Sequence, residues 1–355
     1  MRIEIGTFPS PLERVRVEGV DILVKRDDIC APGYAGNKLR KLEFLLADAQ
    51  ARGARRVVTA GATGSHHAFA TAYHASRLGL PASLVLFPQR VTPHVREMLL
   101  LMQASGAELR WVRRMEAVPL GMWRARLAHR ADAPVIIPPG GSNATGTLGY
   151  VRAGLELAQQ LGIDAADGSI YAGADIATGR QQLPTAVHVA AGTLGTAAGL
   201  AIALGWVGLE VPIVATRITS RIVTNERVLQ RLVRDTLRLL SDSAPDVLGM
   251  SAYIPAGQLP HWKDVVSLVR LRHDQLGTGY GHTTPQADAA VASFRNAGLT
   301  LDTTYTAKAA ASVLEDVRAG GRPLFWHTLS AVLPRELADG TDAARLPQPF
   351  RDYLG

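Results

Sequence analysis

Three basic side chains stand within four positions in GNKLRK, residues 36–41, just after the strand-like run VDILVKRDD and just before the apolar stretch LEFLLADA. Placing residues 38–52 on a helical wheel puts Leu39, Leu42, Leu45, Leu46 and Ala49 in one arc, and Lys38 falls inside it. Arg40, Lys41, Glu43 and Asp48 fall outside and read as solvated, with Arg40 and Glu43 spaced for a weak i,i+3 pair. Lys38 is the misfit. A lysine in the first turn, on the buried side, meets low dielectric and the positive end of the helix dipole, and both favour the neutral amine. A neutral amine is a nucleophile that can form a Schiff base with a carbonyl compound. The same lysine can also run its stem out to water, so the stretch needs a second feature beside it.

That second feature is AVHVAAGTLGTAAGLAIALG, which reads as a strand, a Gly/Thr turn at 192–196 and an apolar helix. Backbone N–H groups at a helix start bind phosphate, glycines allow close approach, and Thr193 and Thr196 add hydroxyl donors. The turn lacks the Lys-Ser/Thr ending of a nucleotide P-loop and does not match GxGxxG. A glycine-rich turn of this kind serves packing as often as binding. His66, His67 and His74 have no Asp, Glu or Cys near them in sequence, which argues against a bound metal, and Cys30 reads as a plain apolar side chain.

The elements that must position these residues follow a regular alternation. RVVTA (56–60), ASLVLF (82–87), ELRWVR (108–113) and PVIIP (134–138) are β-rich runs, each followed by a segment of 3.6-residue period. The alternation resumes at AVHVA (186–190), VPIVATR (211–217), VVSLVRLR (265–272) and PLFWH (323–327), with helices predicted at 196–208, 221–240, 284–297 and 306–319. Two α/β blocks with mostly parallel sheets result. Residues 163–184 and 241–253 read as irregular connections.

At 355 residues, 47% hydrophobic and 19% charged, the chain has the composition of an ordinary globular protein rather than a disordered or fibrous one. The net charge of +7 comes from scattered arginines, with no basic run of nucleic-acid-binding length. A single cysteine fits a reducing compartment. The start MRIEIGTFPS lacks a basic-then-apolar leader, and no apolar run reaches about 18 residues, so a cytoplasmic protein is expected.

Eight blocks in order carry a resemblance that spans nearly the whole chain. LVKRDD (23–28), GNKLRKLEFLLADA (36–49), TAGATGSHH (59–67), PPGGSNATGTLGYVRAGLEL (138–157), AGTLGTAAGL (191–200), GTGYGHTTP (277–285), LDTTYTAKAA (301–310) and LFWHT (324–328) resemble the D-cysteine desulfhydrase and 1-aminocyclopropane-1-carboxylate deaminase family. The resemblance implies a two-domain pyridoxal 5'-phosphate enzyme of fold type II, the tryptophan-synthase-β-like class, with open twisted sheets. It implies a large domain of residues 1–49 plus 163–355, a smaller inserted lobe at 50–150, and a homodimer. Lys38 is then the covalent anchor of the cofactor, and Gly192, Thr193, Leu194, Gly195 and Thr196 its phosphate loop. Ser65, with His66 and His67 beside it, matches the serine block that binds the substrate carboxylate, and Tyr280 and Tyr305 match the two active-site tyrosines. Thr306 and Thr328 stand where the deaminases resemble Glu and Leu, the desulfhydrase-like pair. A Glu at the pyridine nitrogen would strengthen the electron sink that ring opening needs, whereas hydroxyls suffice for an easier elimination.

Two departures fall in the site. The family's block reads close to GAxQSNH, but here Gly64 replaces Gln and His66 replaces Asn; the resemblance puts that Asn near the cofactor's 3-oxygen and the substrate, so His66 is expected to touch both, and Gly64 to give the room that the imidazole takes. The HTGG block becomes His327-Thr328-Leu329-Ser330. The expected reaction is α,β-elimination from a small β-substituted amino acid, D-cysteine first, to a 2-oxo acid and ammonia. The alternatives left open are aminocyclopropane deamination, a racemase, β-replacement or biosynthetic reaction set by His66, and a catalytically silent cofactor-binding relative.

Overall fold

The computed structural model describes residues 2–163, 183–243, 245–250, 253–255 and 257–354, so most of the predicted connection at 163–184 lies outside the described residues. Two sheets organise the rest. The larger has six strands in the order β1 (Leu12–Val17), β2 (Val20–Arg26), β10 (Pro323–His327), β7 (Ala186–Ala191), β8 (Ile213–Arg217), β9 (Val269–Arg272). All neighbours in it run parallel except the β1–β2 hairpin. The smaller sheet is entirely parallel, in the order β5 (Glu108–Trp111), β4 (Ala82–Phe87), β3 (Val57–Ala62), β6 (Val135–Ile136). Helices cover both faces of a parallel sheet, so its strands read as continuous apolar runs, and β3 and β4 are buried along almost their whole length.

The helix α6 (Gly195–Trp206) is apolar all round because it is enclosed on all sides, packing against α5 (Ala144–Gln160), α7 (Glu226–Ser241) and the larger sheet. The predicted strand at 265–272 is in fact divided: α8 (Trp262–Ser267) occupies its first half and only Val269–Arg272 joins the sheet. A short apolar run bears either reading, and tertiary packing chose.

The first helix, α1 (Asn37–Ala51), corrects the wheel. Arg40, Lys41 and Glu43 are buried rather than solvated, because α1 lies between the two sheets' helices and is covered on both flanks. Arg40 does not pair with Glu43. Its guanidinium donates to both oxygens of Asp27 at 2.7–2.9 Å and to both oxygens of Glu156 at 2.9 Å, while Lys25 donates to Glu156 at 2.5 Å. Glu43 instead accepts from Arg2 and from the backbone of Ile5 and Gly6. Gly149 of α5 makes this closeness possible: a Cβ there would stand 2.0 Å from the Arg40 carbonyl oxygen.

Near the other end of the chain, α11 (Gln348–Leu354) packs on the smaller sheet's core. Leu346, Phe350 and Leu354 join the cluster that holds Phe69, Leu84 and Met98.

Candidate active site

The carboxyl ends of β3, β7 and β10 open on one cleft of about 660 Å³, where open α/β sheets place their ligands. Lys38, Ser65, His66, His67, the loop Gly192–Thr196, Tyr280, Tyr305, Thr306 and Thr328 all line it. Residues up to 290 positions apart in sequence thus share one cavity.

Lys38 is half-buried on the first turn of α1, its amine donating to Asn37 Oδ1 at 2.8 Å. Removal from water pushes its pKa down to about 8, against a smaller upward pull from the Asp302 carboxylate. Three residues on, one helical turn away, Lys41 is also buried. It donates to the Gly140 carbonyl at 3.1 Å and the Ser142 hydroxyl at 3.0 Å, and burial together with Lys38 lowers its pKa well below that of a free lysine. The amine lies against the Gly192–Thr196 loop, since a Cβ at Gly195 would meet Lys41 Nζ at 2.7 Å and Ser142 Oγ at 2.6 Å. Only glycine lets both side chains come that close.

The loop between β7 and α6 leads into a helix whose start is uncapped. Unlike α2 (His66–Arg77), α3 (Pro93–Ala104) and α5, whose first turns are capped by Ser65, Thr92 and Asn143, α6 has no side-chain cap, so its first N–H groups are left for another acceptor. Leu194 holds φ at +65° there, a left-handed backbone that an L side chain rarely adopts and that recurs where a loop must meet a ligand. The Thr193 hydroxyl is 2.6 Å from Ser142 Oγ, and Thr196 faces the cleft nearby. Cleft volume, an amine of lowered pKa, a second buried amine and an uncapped helix start match a phosphorylated aldehyde in size, chemistry and charge.

In the same cleft, the hydroxyls of Tyr280 and Tyr305 are 2.5 Å apart, and burial raises both phenols so that they keep their protons. Asp302 holds that corner together. Its carboxylate accepts from the backbone N–H of Thr304, Tyr305 and Thr306 and from the Thr306 hydroxyl at 2.7 Å, fixing the start of α10 (Thr306–Arg318). The Thr306 proton is therefore committed to Asp302. The Thr328 hydroxyl has no hydrogen-bond partner among the described residues, while its carbonyl accepts from Asn37 N–H at 3.1 Å.

The Ser65 side chain accepts from Ala68 N–H at 3.2 Å, and the buried His67 ring is 2.9 Å from the Thr59 hydroxyl. His66 is bound to the Tyr34 hydroxyl at 2.5 Å through Nδ1 and lies against His94, with ring centroids 4.9 Å apart. Burial and His94 lower its pKa to about 4, so the imidazole is neutral. The room at Gly64 is not taken by His66: a Cβ there would meet Gln89 Nε2 at 2.8 Å and Val95 at 3.1 Å, so a glutamine from the β4–α3 connection fills it. His74 turns away and bonds the Tyr34 carbonyl at 2.9 Å.

Sequence reasoning missed four residues of this cavity's neighbourhood: Tyr34, Lys41, His94 and Asp302. Lys41 was legible as the i+3 neighbour of Lys38 on one helical face, and Asp302 as a capping residue just ahead of the predicted helix at 306. Tyr34 and His94 carry no local signal.

The protein-family model described as pyridoxal-phosphate dependent enzyme matches residues 3–324. The chain belongs to that family. Among curated relatives of this enzyme family, the chain is 33% identical to the nocardicin C-9' epimerase of Nocardia uniformis subsp. tsuyamanensis over 92% of both chains. It is 30% identical to the D-cysteine desulfhydrase of Klebsiella pneumoniae over 92% of this chain and 93% of that one. A putative 1-aminocyclopropane-1-carboxylate deaminase of Pyrococcus horikoshii is 33% identical over 67% of this chain and 69% of its own. In solved structures, the crystal structure of an ACC deaminase homologue superposes with a TM-score of 0.70 at 28% identity, covering 96% of this chain and 95% of that one. The fold is thus the α/β, mostly parallel, fold type II architecture, and the cofactor is pyridoxal phosphate. Among the described residues, no helix is long and apolar enough to cross a membrane.

Proposed function

We propose that the chain catalyses α,β-elimination from a small β-substituted amino acid, with D-cysteine the first substrate to test, releasing the protonated β-substituent and an aminoacrylate that water then hydrolyses to a 2-oxo acid and ammonia. The observation that carries the reading is the pairing of a lysine held near neutrality, Lys38, with two protonated tyrosines across one cleft. Relatives named D-cysteine desulfhydrase, aligned over nine-tenths of the chain, support it.

When bound, the cofactor supplies a conjugated ring that withdraws electrons from the substrate's α-carbon and makes its C–H acidic. The loop Gly192–Thr196 and the Lys41 amine would hold the phosphate, and Thr328, whose hydroxyl is uncommitted, would face the ring nitrogen. Lys38 is the anchor and then the base: its Nζ takes the proton from Cα. The Ser65 hydroxyl and the N–H groups at the start of α2 receive the substrate carboxylate. The Tyr280 hydroxyl, hydrogen-bonded to Tyr305, gives a proton to the departing β-substituent.

The test is release of 2-oxo acid from D-cysteine by the wild type and by Lys38→Ala; turnover that survives in the variant would sink the scheme. A second reading, epimerisation at Cα, rests on one finding, the 33% identity with an epimerase over 92% of the chain. It would show as solvent deuterium entering Cα with no keto acid formed. We also read the chain as a cytoplasmic homodimer with its larger sheet in a domain of residues 1–49 plus 163–355 and its smaller sheet in a lobe at 50–150, the dimer being checked by sedimentation of the holoenzyme.

A further inference from the structure

We propose that Tyr34 and His66 form a fixed hydrogen-bond donor for the substrate, one that favours amino acids whose β-substituent offers an oxygen acceptor over those ending in a thiol. The inference rests on the reading of the cleft as the site of amino-acid chemistry.

Tyr34 is buried, with 1% of its surface exposed, and its hydroxyl has one partner among the described residues, His66 Nδ1. If Nδ1 carried the ring proton and donated it, the phenolic O–H would be buried with no acceptor, which costs more than the bond returns. The hydroxyl therefore donates to Nδ1. The single proton of the neutral imidazole then sits on Nε2, which has no protein partner among the described residues and opens on the cleft. The hydrogen bond to the near-coplanar Tyr34 ring, the tilted His94 ring and the edge-on Tyr305 ring keep the imidazole from turning. What faces the cleft is an N–H donor with no base function at neutral pH, beside Tyr305, whose hydroxyl bonds the tyrosine assigned to the leaving group.

Such a donor distinguishes acceptors. A hydroxyl, ester or sulfonate oxygen accepts well, whereas a thiol sulfur accepts weakly and a methyl group not at all. A donor left unpaired in a closed site penalises the analogue that lacks the acceptor.

The experiment is rapid-mixing absorbance of the holoenzyme with D-serine and D-alanine, which differ by the hydroxyl alone, read before turnover. Wild type is expected to bind D-serine about tenfold tighter. Tyr34→Phe, which frees the tautomer, should shrink that ratio several-fold, and His66→Leu should bring it to about one. Ratios equal in wild type and both variants overturn the proposal. So does a substrate-free absorbance maximum that moves in both variants while the ratio holds, because the donor would then face the cofactor. Should either variant fold poorly, ¹⁵N NMR of the wild-type histidines decides alone: protonation at Nε2 of His66 is required, and protonation at Nδ1 refutes it. A serine preference without keto acid from any amino acid would keep this donor and remove the elimination reading. Keto acid release with no preference would do the reverse.

Discussion

Lys38 carries the sharpest residue-scale expectation. With a pKa near 8, about a tenth of its amines are neutral at pH 7 and most are at pH 9. Acylation of Lys38 in the cofactor-free protein, followed by peptide mass, should accelerate about tenfold over that interval and then level off, whereas an ordinary lysine would keep accelerating past pH 10. Lys38→Ala should cut turnover by roughly 10³-fold while moving stability by no more than about 1 kcal/mol, since the side chain is only half-buried. Lys41 makes a different case. Its amine holds no carboxylate, only Gly140 and Ser142, so Lys41→Gln should weaken cofactor binding about 10- to 100-fold by equilibrium dialysis, the range of one charge-assisted hydrogen bond. Affinity unchanged in that variant would remove Lys41 from the phosphate site.

At the scale of elements, α1 is held by charge as much as by apolar contact. Arg40 on α1, Asp27 after β2 and Glu156 on α5 form a buried network that ties the lysine helix to the larger sheet, with Lys25 and Tyr150 completing it. Arg40→Met would leave two buried carboxylates short of donors and should cost about 3–5 kcal/mol in denaturant unfolding. The network also sets a pH dependence. Both Asp27 and Glu156 have pKa values below the ordinary 3.8 and 4.5, despite the burial that opposes it, because Arg40 and Lys25 stabilise their charge. Groups depressed on folding contribute stability that is present above the ordinary values and is lost as pH falls through the folded ones. Unfolding midpoints should therefore hold steady down to about pH 4.5 and decline below it, and Glu156→Gln should flatten that decline.

Over the whole molecule, the last helix joins distant parts. Leu346, Phe350 and Leu354 lie in the smaller sheet's core, and the Tyr353 hydroxyl donates to the Gln89 carbonyl and meets Thr63 Oγ1 at 3.0 Å. Gln89 in turn backs Gly64, next to Ser65. Deleting residues 346–355 uncovers three large apolar side chains' worth of core, at about 1.5–3 kcal/mol each, and should lower the melting temperature markedly. Tyr353→Phe is the gentler probe: with the core intact, it should raise KM more than it lowers kcat, because it loosens the loop carrying Ser65, the group proposed to receive the carboxylate.

The blocks from GNK to HT, the βαβ alternation and the glycine-threonine turn were legible in the sequence because each is local: a period, a punctuation or a short string suffices to read it. Lys38 announced itself as a charge on an apolar arc. The same logic failed for Arg40 and Lys41, since a helical wheel assumes one covered face and α1 is covered on two. It failed at 265–272, where an apolar run suits helix and strand alike. It could not pair Tyr34 with His66 across 32 positions, nor send Gln89 into the space at Gly64. Sequence by itself determined the fold class and the cofactor, because those follow from local strings. Tertiary structure alone decided which charges are buried in pairs, which tyrosine meets His66 and which hydroxyl is already spent, because those depend on contacts between segments far apart in the chain.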